Sequence, residues 1–211
     1  MEYYHVYNRG VDKRTIFEDV QDYERFLDSL VAFNNPEFKS KLRDVPYEFR
    51  RRYHTPERSV VAIDGYVDVH AYCLIPNHFH ILVSTADLSN LSKYMQRVGA
   101  AYTKYFNEKN DRSGVLFQGV YKKVLVESDS QLMRLLAYVN MNNKVHGIDK
   151  RALFRSSLSE YFDPTSNVLS KQDMVTSNFK NQKEFVVFCS NQVSDTLWKR
   201  GKNVDPGILL E

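Results

Sequence analysis

Two histidines separated by one residue stand in an apolar run near the middle of the chain. His78 and His80 flank Phe79 in the run LIPNHFHILV. Side chains alternate between the two faces of a β-strand, so residues two apart point in the same direction. A strand over this run therefore projects both imidazoles from one face and Phe79 from the other. Two neighbouring imidazoles on a rigid strand could bind a metal ion that takes a third ligand from elsewhere in the chain.

A second candidate group lies later in the chain, in the run YVNMNNKVHG that starts at Tyr138. The apolar spacing there predicts a helix from Ser130 to Asn143, and Tyr138 and Asn142, four residues apart, share one face of that helix. The phenol of Tyr138 could act as a nucleophile, and the carbonyl oxygen of Asn142 could complete the metal site. Nitrogen and oxygen donors with open positions suit Mg²⁺ or Mn²⁺ holding a phosphate better than a closed structural zinc site.

A tyrosine needs help to attack a phosphate. Its ordinary pKa of about 10 leaves only roughly one phenol in a thousand ionised at neutral pH. The cation must therefore polarise the phosphate, and another group must accept the phenol proton. The sequence does not identify that base.

The elements that position these residues follow a simple order. The predicted elements are a strand from Glu2 to Asn8, a helix from Asp22 to Phe33, strands from Tyr66 to Leu74 and from His78 to Ser84, a helix from Leu88 to Asn107, a strand from Tyr121 to Val126 and the helix from Ser130 to Asn143. This order predicts an α+β fold of ferredoxin-like type, with an antiparallel sheet and helices packed on one face.

The two central strands read as a hairpin that carries the histidines. If its turn centres on Pro76, His80 lies opposite Tyr72. The apolar side chains of the second strand, Phe79 and Ile81, then pack on the core. The two histidines are expected on the outer face of the sheet.

The bulk composition restricts the class of protein. The chain has 211 residues, 43% of them hydrophobic, and a formal net charge of +3, which permits an anionic partner without requiring one. Its two cysteines, Cys73 and Cys189, predict no disulfide framework. The N-terminal run is not typical of a signal peptide, and no apolar stretch is long enough to span a membrane. We expect a cytoplasmic protein with no membrane partner.

We expect two parts along the chain. Residues 1–147 carry all the motifs and read as one catalytic domain, with a charged insertion around 36–57. Residues 148–211 read as a C-terminal extension that includes some helix. This extension either packs in the same globular unit or forms a tail that contacts DNA.

The motifs taken together resemble those of the HUH endonucleases. The run PNHFHILV resembles their His-hydrophobic-His motif, and YVNMNNKVHG resembles the catalytic helix of the single-tyrosine HUH transposases, especially the REP-associated tyrosine transposases. That helix typically reads Tyr-Ile-x-x-Asn-Pro-x-Lys; here Asn143 replaces the proline and Lys144 stands one position early. The runs YHVYNRGVDKRTIF and YTKYFNEKNDRSGVLFQGVYKKVLVES also resemble the family, so the resemblance covers roughly residues 3 to 160.

The resemblance implies a fold, a reaction and a substrate. The fold would be of the HUH endonuclease type. Tyr138 would attack single-stranded DNA at hairpin or palindromic repeats and form a 5′-phosphotyrosine link, and His78, His80 and Asn142 would hold a divalent cation, Mg²⁺ or Mn²⁺. A 3′-hydroxyl would then rejoin the strands. The family includes homodimers and monomers, and the sequence favours neither.

Further residues are candidates for contact with DNA. Phosphate or base contacts are expected from Arg9, Lys13, Arg14, Lys104, Arg112, Tyr121, Lys122 and Lys123. Tyr102 and Phe117 could also stack on bases, although aromatic residues at such spacings usually belong to a core. Among the other histidines, His70 is expected to be structural or to support a metal ligand. Surface or packing roles are expected for His5, His54 and His146.

Two other functions compete with the transposase. One is a non-catalytic module that binds single-stranded nucleic acid and derives from a transposase, since ferredoxin-like sheets also bind single strands. The other is a replication initiator or relaxase with the same chemistry, but these usually carry further domains. The joint presence of the two histidines, Tyr138 and Asn142 favours the transposase.

Overall fold

The computed structural model describes residues 1–38, 65–148, 152–162 and 169–201, and its centre is a five-stranded antiparallel sheet. Its helices and strands are β1 (Glu2–Arg9), α1 (Val20–Asn34), β2 (Asp68–Ile75), β3 (His78–Thr85), α2 (Leu88–Lys109), β4 (Lys122–Leu125), α3 (Asp129–Asn140), α4 (Asn142–Val145), β5 (Arg155–Ser156), α5 (Asp173–Thr176) and α6 (Gln182–Gly201). The strand order is β4-β1-β3-β2-β5. The elements β1 to β4 follow the order β-α-β-β-α-β, which confirms the predicted α+β fold. The predicted insertion lies outside the described residues from residue 39 onwards.

The hairpin of β2 and β3 differs in register from the prediction. Pro76 and Asn77 form a two-residue turn, Ile75 pairs with His78, and Cys73 pairs with His80. The predicted pairing of His80 with Tyr72 is wrong, because the turn contains two residues instead of centring on one. The register shifts by one residue between Val69 and Ala71. Beyond this shift, Val69 pairs with Val83 and Asp68 pairs with Ser84, as a turn centred on Pro76 predicts. Directly paired residues share a face, so His80 lies beside Cys73.

One face of the sheet packs against α1 and α2. Phe79 and Ile81 of β3 and Val6 of β1 meet Phe26 of α1 and Val98 of α2 in a cluster of buried side chains. The alternation of β3 thus directs its odd-numbered apolar residues into this core, as the sequence predicts.

The opposite face of the sheet is also covered, which the sequence does not predict. Ala71 and Leu82 on this face pack with Leu136 of α3 and Phe185 of α6. The prediction of helices on one face only is wrong, because the apolar stripe of α3 is buried on the sheet and α6 packs against α3. The histidine face is therefore a covered layer, and only 1% of His80 is exposed.

The C-terminal part of the described chain is attached to the edge of the sheet. β5 pairs with β2, and Ser157 Oγ accepts a hydrogen bond of 2.9 Å from the backbone N–H of Tyr72. The hydroxyl of Tyr161 donates to the carbonyl oxygen of His70 at 2.7 Å. These contacts hold the segment that follows α4 against the sheet. Within the described residues, no helix is both long and apolar enough to cross a membrane.

Candidate metal centre and active site

The histidine pair of β3 is extended by residues of the neighbouring strand β1. Tyr7 pairs with His80 and His5 pairs with Leu82, so both side chains share the face of the histidines. His5 Nε2 lies 2.8 Å from His80 Nδ1, and the ring of Tyr7 stacks on that of His80 with 5.5 Å between centroids. The sequence predicts only a surface or packing role for His5. The alternation of β1 groups His5 with Tyr7, but only the pairing of β1 with β3 shows which face they share.

Hydrogen bonds at Nδ1 orient both histidines. His78 Nδ1 lies 2.7 Å from Asn77 Oδ1, and the Asn77 amide nitrogen donates to the carbonyl oxygen of Lys13 at 3.4 Å. An amide oxygen only accepts, so His78 carries its proton on Nδ1 and offers the lone pair of Nε2. In the equivalent tautomer, His80 would donate from Nδ1 to His5 Nε2. The Nε2 atoms of His78 and His80 are both buried.

Helix α3 brings Tyr138 to this pair. Ser128 caps the start of the helix by accepting a hydrogen bond from the backbone N–H of Gln131, and Leu136 packs the helix against the sheet. The Tyr138 ring then lies almost perpendicular to the His80 ring, with 5.6 Å between centroids and 89° between planes. Tyr138 is 5% exposed and lies in the covered layer.

The predicted continuous helix from Ser130 to Asn143 is wrong, because the helix breaks between Tyr138 and Asn142. α3 ends at Asn140, and Met141 separates it from α4 with φ of −113° and ψ of 22°. The hydroxyl of Ser156 donates to the carbonyl oxygen of Asn140 at 2.7 Å, while the backbone N–H of Lys144 donates to Met141 instead. In a continuous α-helix the backbone N–H of Lys144 would donate to the carbonyl oxygen of Asn140. Here the hydroxyl of Ser156 donates to that carbonyl oxygen instead.

Asn142 is fully buried beside the sheet. The backbone amides of Asn142 and Asn143 hydrogen bond to the thiol of Cys73, the sheet neighbour of His80, while burial raises the pKa of that thiol to about 12. Both polar atoms of the Asn142 side chain are buried, and neither hydrogen bonds to any other described residue. A buried amide that lacks partners is costly, so this side chain fits a site where its oxygen binds a cation.

A third histidine joins the pair. His146 follows α4, and its ring lies 4.6 Å from that of His78 between centroids. One ring nitrogen from each of His78, His80 and His146 lies within 4.8 Å of the others. The sequence predicts only a surface or packing role for His146. Its position four residues after Asn142 and eight after Tyr138 is a helical spacing that could have indicated it.

The predicted DNA contacts divide between the two faces of the sheet. Arg9 pairs with His78 in the sheet, and Lys122 pairs with Tyr7, whose ring centroid lies 5.8 Å from Lys122 Nζ. The exposed residues Lys13 and Arg14 follow β1, and Lys13 accepts the hydrogen bond of Asn77. Four of the predicted contacts therefore lie on or near the histidine face: Arg9, Lys13, Arg14 and Lys122.

The other four line a groove on the opposite side. A cavity of about 1220 Å³ between α2 and the loop before β4 is bordered by Lys104, Arg112, Tyr121 and Lys123. Tyr102 and Phe117 are buried, and the hydroxyl of Tyr102 donates to the carbonyl oxygen of Ile16 at 2.5 Å. The expectation that these two rings stack on bases is wrong, because both belong to the core.

Comparisons with known proteins agree with the resemblance drawn from the sequence. Residues 48–142 match the model of the IS200-like transposase family. A solved structure described as the REP-associated tyrosine transposase bound to a REP hairpin is 11% identical over 76% of this chain and 78% of its own chain, with a TM-score of 0.45. No curated protein matches the chain.

Proposed function

We propose that the chain is a transposase of the IS200-like family, whose model matches residues 48–142, and that it cleaves and rejoins single-stranded DNA through a covalent link to Tyr138. The observation that carries this proposal is the contact of the Tyr138 ring with His80, 5.6 Å between centroids, beside a cluster of three histidines. A nucleophile candidate and a metal-binding candidate thus share one layer between the sheet and α3. A module that only binds DNA has no need for this arrangement.

The proposed reaction uses the phenol of Tyr138. Its oxygen attacks the phosphorus of a phosphodiester, a bond forms between that oxygen and phosphorus, and the bond from phosphorus to the 3′ oxygen breaks. The phenol proton passes to a base, and the leaving 3′ oxygen takes up a proton. A 3′-hydroxyl attacking the 5′-phosphotyrosine reverses these changes and rejoins the strands. Because Tyr138 is only 5% exposed, its layer also keeps water away from the intermediate.

His78, His80 and Asn142 are proposed to hold the divalent cation, Mg²⁺ or Mn²⁺. When bound there, such a cation polarises the phosphate and stabilises the negative charge that develops on it. The chain's own contribution is orientation. Asn77 and His5 fix the ring nitrogens of the two histidines, and the buried amide of Asn142 supplies an oxygen.

The proposed substrate is single-stranded DNA with hairpin or palindromic structure. Arg9 and Lys122 lie on the histidine face, where they would neutralise phosphates close to the cleavage site. Lys13 and Arg14 extend this positive charge beyond the end of β1. We further propose that residues 1–147 form the catalytic domain and that residues 148–211 form a C-terminal extension of the same globular unit, in which α6 packs against α3.

The proposal is tested by searching for the covalent intermediate. Wild-type protein is incubated with hairpin-bearing single-stranded oligonucleotides and Mn²⁺ or Mg²⁺, and a denaturing gel reports any adduct that survives. Peptide mass spectrometry should place the linked nucleotide on Tyr138, and chelation of the cation should abolish the adduct. The variants His78→Ala and His80→Ala should lose it as well. If either variant cleaves like the wild type, the assignment of the metal ligands is wrong.

A further inference from the structure

The position of His146 extends the proposed metal centre beyond the three ligands inferred above. We propose that His146 is a ligand of the same cation, so that three imidazoles surround it and the site selects nitrogen-preferring transition-metal ions such as Co²⁺, Ni²⁺ and Zn²⁺ over Mg²⁺. This inference rests on the proposed function, because it concerns the cation of that site. It changes the expected metal chemistry of the centre.

The geometry of the three imidazoles fits one ion. Metal-to-nitrogen bonds of about 2.0–2.1 Å place two ligand atoms of one ion at most about 4.2 Å apart. One ring nitrogen from each of His78, His80 and His146 lies within 4.8 Å of the others. Small rotations of these side chains would therefore bring all three nitrogens within bonding distance of one ion. The Nε2 atom of His146 is buried, as are those of His78 and His80.

The local backbone holds His146 in this position. The helix is interrupted at Met141, and α4 begins at Asn142 as a separate short helix. The backbone N–H of His146 donates to the carbonyl oxygen of Asn142 at 3.0 Å. Asn142 and His146 therefore lie at the two ends of one short turn. The same turn that buries the amide of Asn142 beside Cys73 also brings the third imidazole to His78.

The donor set determines which ions are preferred. Mg²⁺ is a hard cation that favours oxygen ligands and gives up its waters reluctantly. Imidazole suits Zn²⁺, Ni²⁺ and similar ions, and the affinity of nitrogen ligands for divalent ions rises along the first transition row to Cu²⁺. Two imidazoles and one amide oxygen would give no clear preference between Mg²⁺ and transition-metal ions. A third imidazole shifts the preference of the site towards transition-metal ions.

The inference is tested by metal binding to the full chain in the absence of DNA. Apo protein is titrated with Co²⁺ alone, and calorimetry together with the visible absorption of bound Co²⁺ reports the affinity and the number of nitrogen ligands. His146→Ala should weaken Co²⁺ binding about 10- to 100-fold and alter the absorption spectrum. Its affinity for Mg²⁺ should change little. The control Lys144→Ala, at an exposed position of the same turn, should bind Co²⁺ like the wild type.

A second variant separates the loss of a metal ligand from a loss of folding. His146→Gln keeps a polar side chain of similar length, and circular dichroism with a thermal melt in chelator shows whether each variant is folded. If folded His146→Ala and His146→Gln bind Co²⁺ with wild-type affinity and spectrum, the inference is overturned. A Tyr138-dependent DNA adduct in that case would leave the proposed function standing. Conversely, loss of Co²⁺ affinity without any DNA adduct would support the metal centre and refute the transposase reaction.

Discussion

The hydrogen bond between His5 and His80 allows a sharp test of how the metal site is organised. His5 Nε2 lies 2.8 Å from His80 Nδ1, and both side chains are more than nine-tenths buried. The two rings are also stacked, with 5.0 Å between centroids. His5→Phe keeps a ring of similar size for the stacking and removes the nitrogen that is hydrogen bonded to His80 Nδ1.

The expected effect of His5→Phe follows from that single bond. Leaving a buried donor without its partner costs about 1–3 kcal/mol. Loss of a partner that orients a metal-binding histidine typically lowers metal affinity about 10- to 100-fold, which corresponds to about 1.4–2.8 kcal/mol. We therefore expect His5→Phe to weaken binding of the cation by about one to two orders of magnitude, and separately to lower the free energy of unfolding by about 1–3 kcal/mol.

The assay combines calorimetry with cleavage at increasing metal concentration. The control Tyr7→Phe keeps the stacking on His80 and removes only a hydroxyl, so its metal affinity should stay close to that of the wild type. His5→Phe should cleave slowly at low metal concentration and approach wild-type cleavage at saturation. Unchanged metal affinity would refute the role of His5 in orienting His80. A cleavage defect that persists at saturation would show that His5 acts on the reaction itself.

Three further changes test the fold and the DNA-binding face. Lys109→Met should destabilise the protein by about 3–5 kcal/mol in urea unfolding, because Lys109 Nζ lies 2.7 Å from the fully buried carboxylate of Asp22. Glu160→Gln should remove a pH dependence: burial raises the pKa of Glu160 from 4.5 to about 7, so the folded state favours the protonated form and the wild type loses stability as pH rises through that window. Lys122→Ala should weaken binding of single-stranded DNA and lower the salt dependence by about one phosphate contact.

Each of these changes has a matched comparison. Lys104→Met removes an exposed ion pair with Glu108 and should cost less than about 1 kcal/mol, so an equal loss at both lysines would contradict the role given to burial. Thermal melts of wild type and Glu160→Gln that keep parallel pH profiles between pH 4.5 and 7 would exclude Glu160 as the titrating group. Lys123 neighbours Lys122 but projects from the other face of β4. If Lys123→Ala loses more DNA affinity than Lys122→Ala, the DNA binds in the groove between α2 and the loop before β4.

Local pattern was sufficient for part of the site. The alternation of β3 places His78 and His80 together, and the apolar spacing after Ser130 predicts the helix that carries Tyr138, because both depend only on the periodicity of one element. These two features bring the nucleophile candidate to the histidines, and the structure shows the contact between Tyr138 and His80.

The remaining features of the site depend on contacts between distant parts of the chain. The role of His5 requires the pairing of β1 with β3, which no local pattern encodes. At the break after Asn140, the hydroxyl of Ser156 donates a hydrogen bond to the carbonyl oxygen of Asn140. Ser156 belongs to a segment for which the sequence predicts no helix or strand. That break in turn sets the position of His146, which the predicted continuous helix does not give. The histidine face is covered by α3, and α6, whose apolar pattern is weak, packs on α3.

The central claim is that Tyr138 is the residue that becomes linked to DNA. Wild type, Tyr138→Phe and the control Tyr121→Phe are each incubated with hairpin-bearing single-stranded DNA and Mn²⁺, and the covalent adduct is measured alongside DNA binding. We predict an adduct with wild type and Tyr121→Phe, and none with Tyr138→Phe although it still binds the DNA. An adduct with Tyr138→Phe at the wild-type level, or DNA binding by the wild type without any adduct, would contradict the claim.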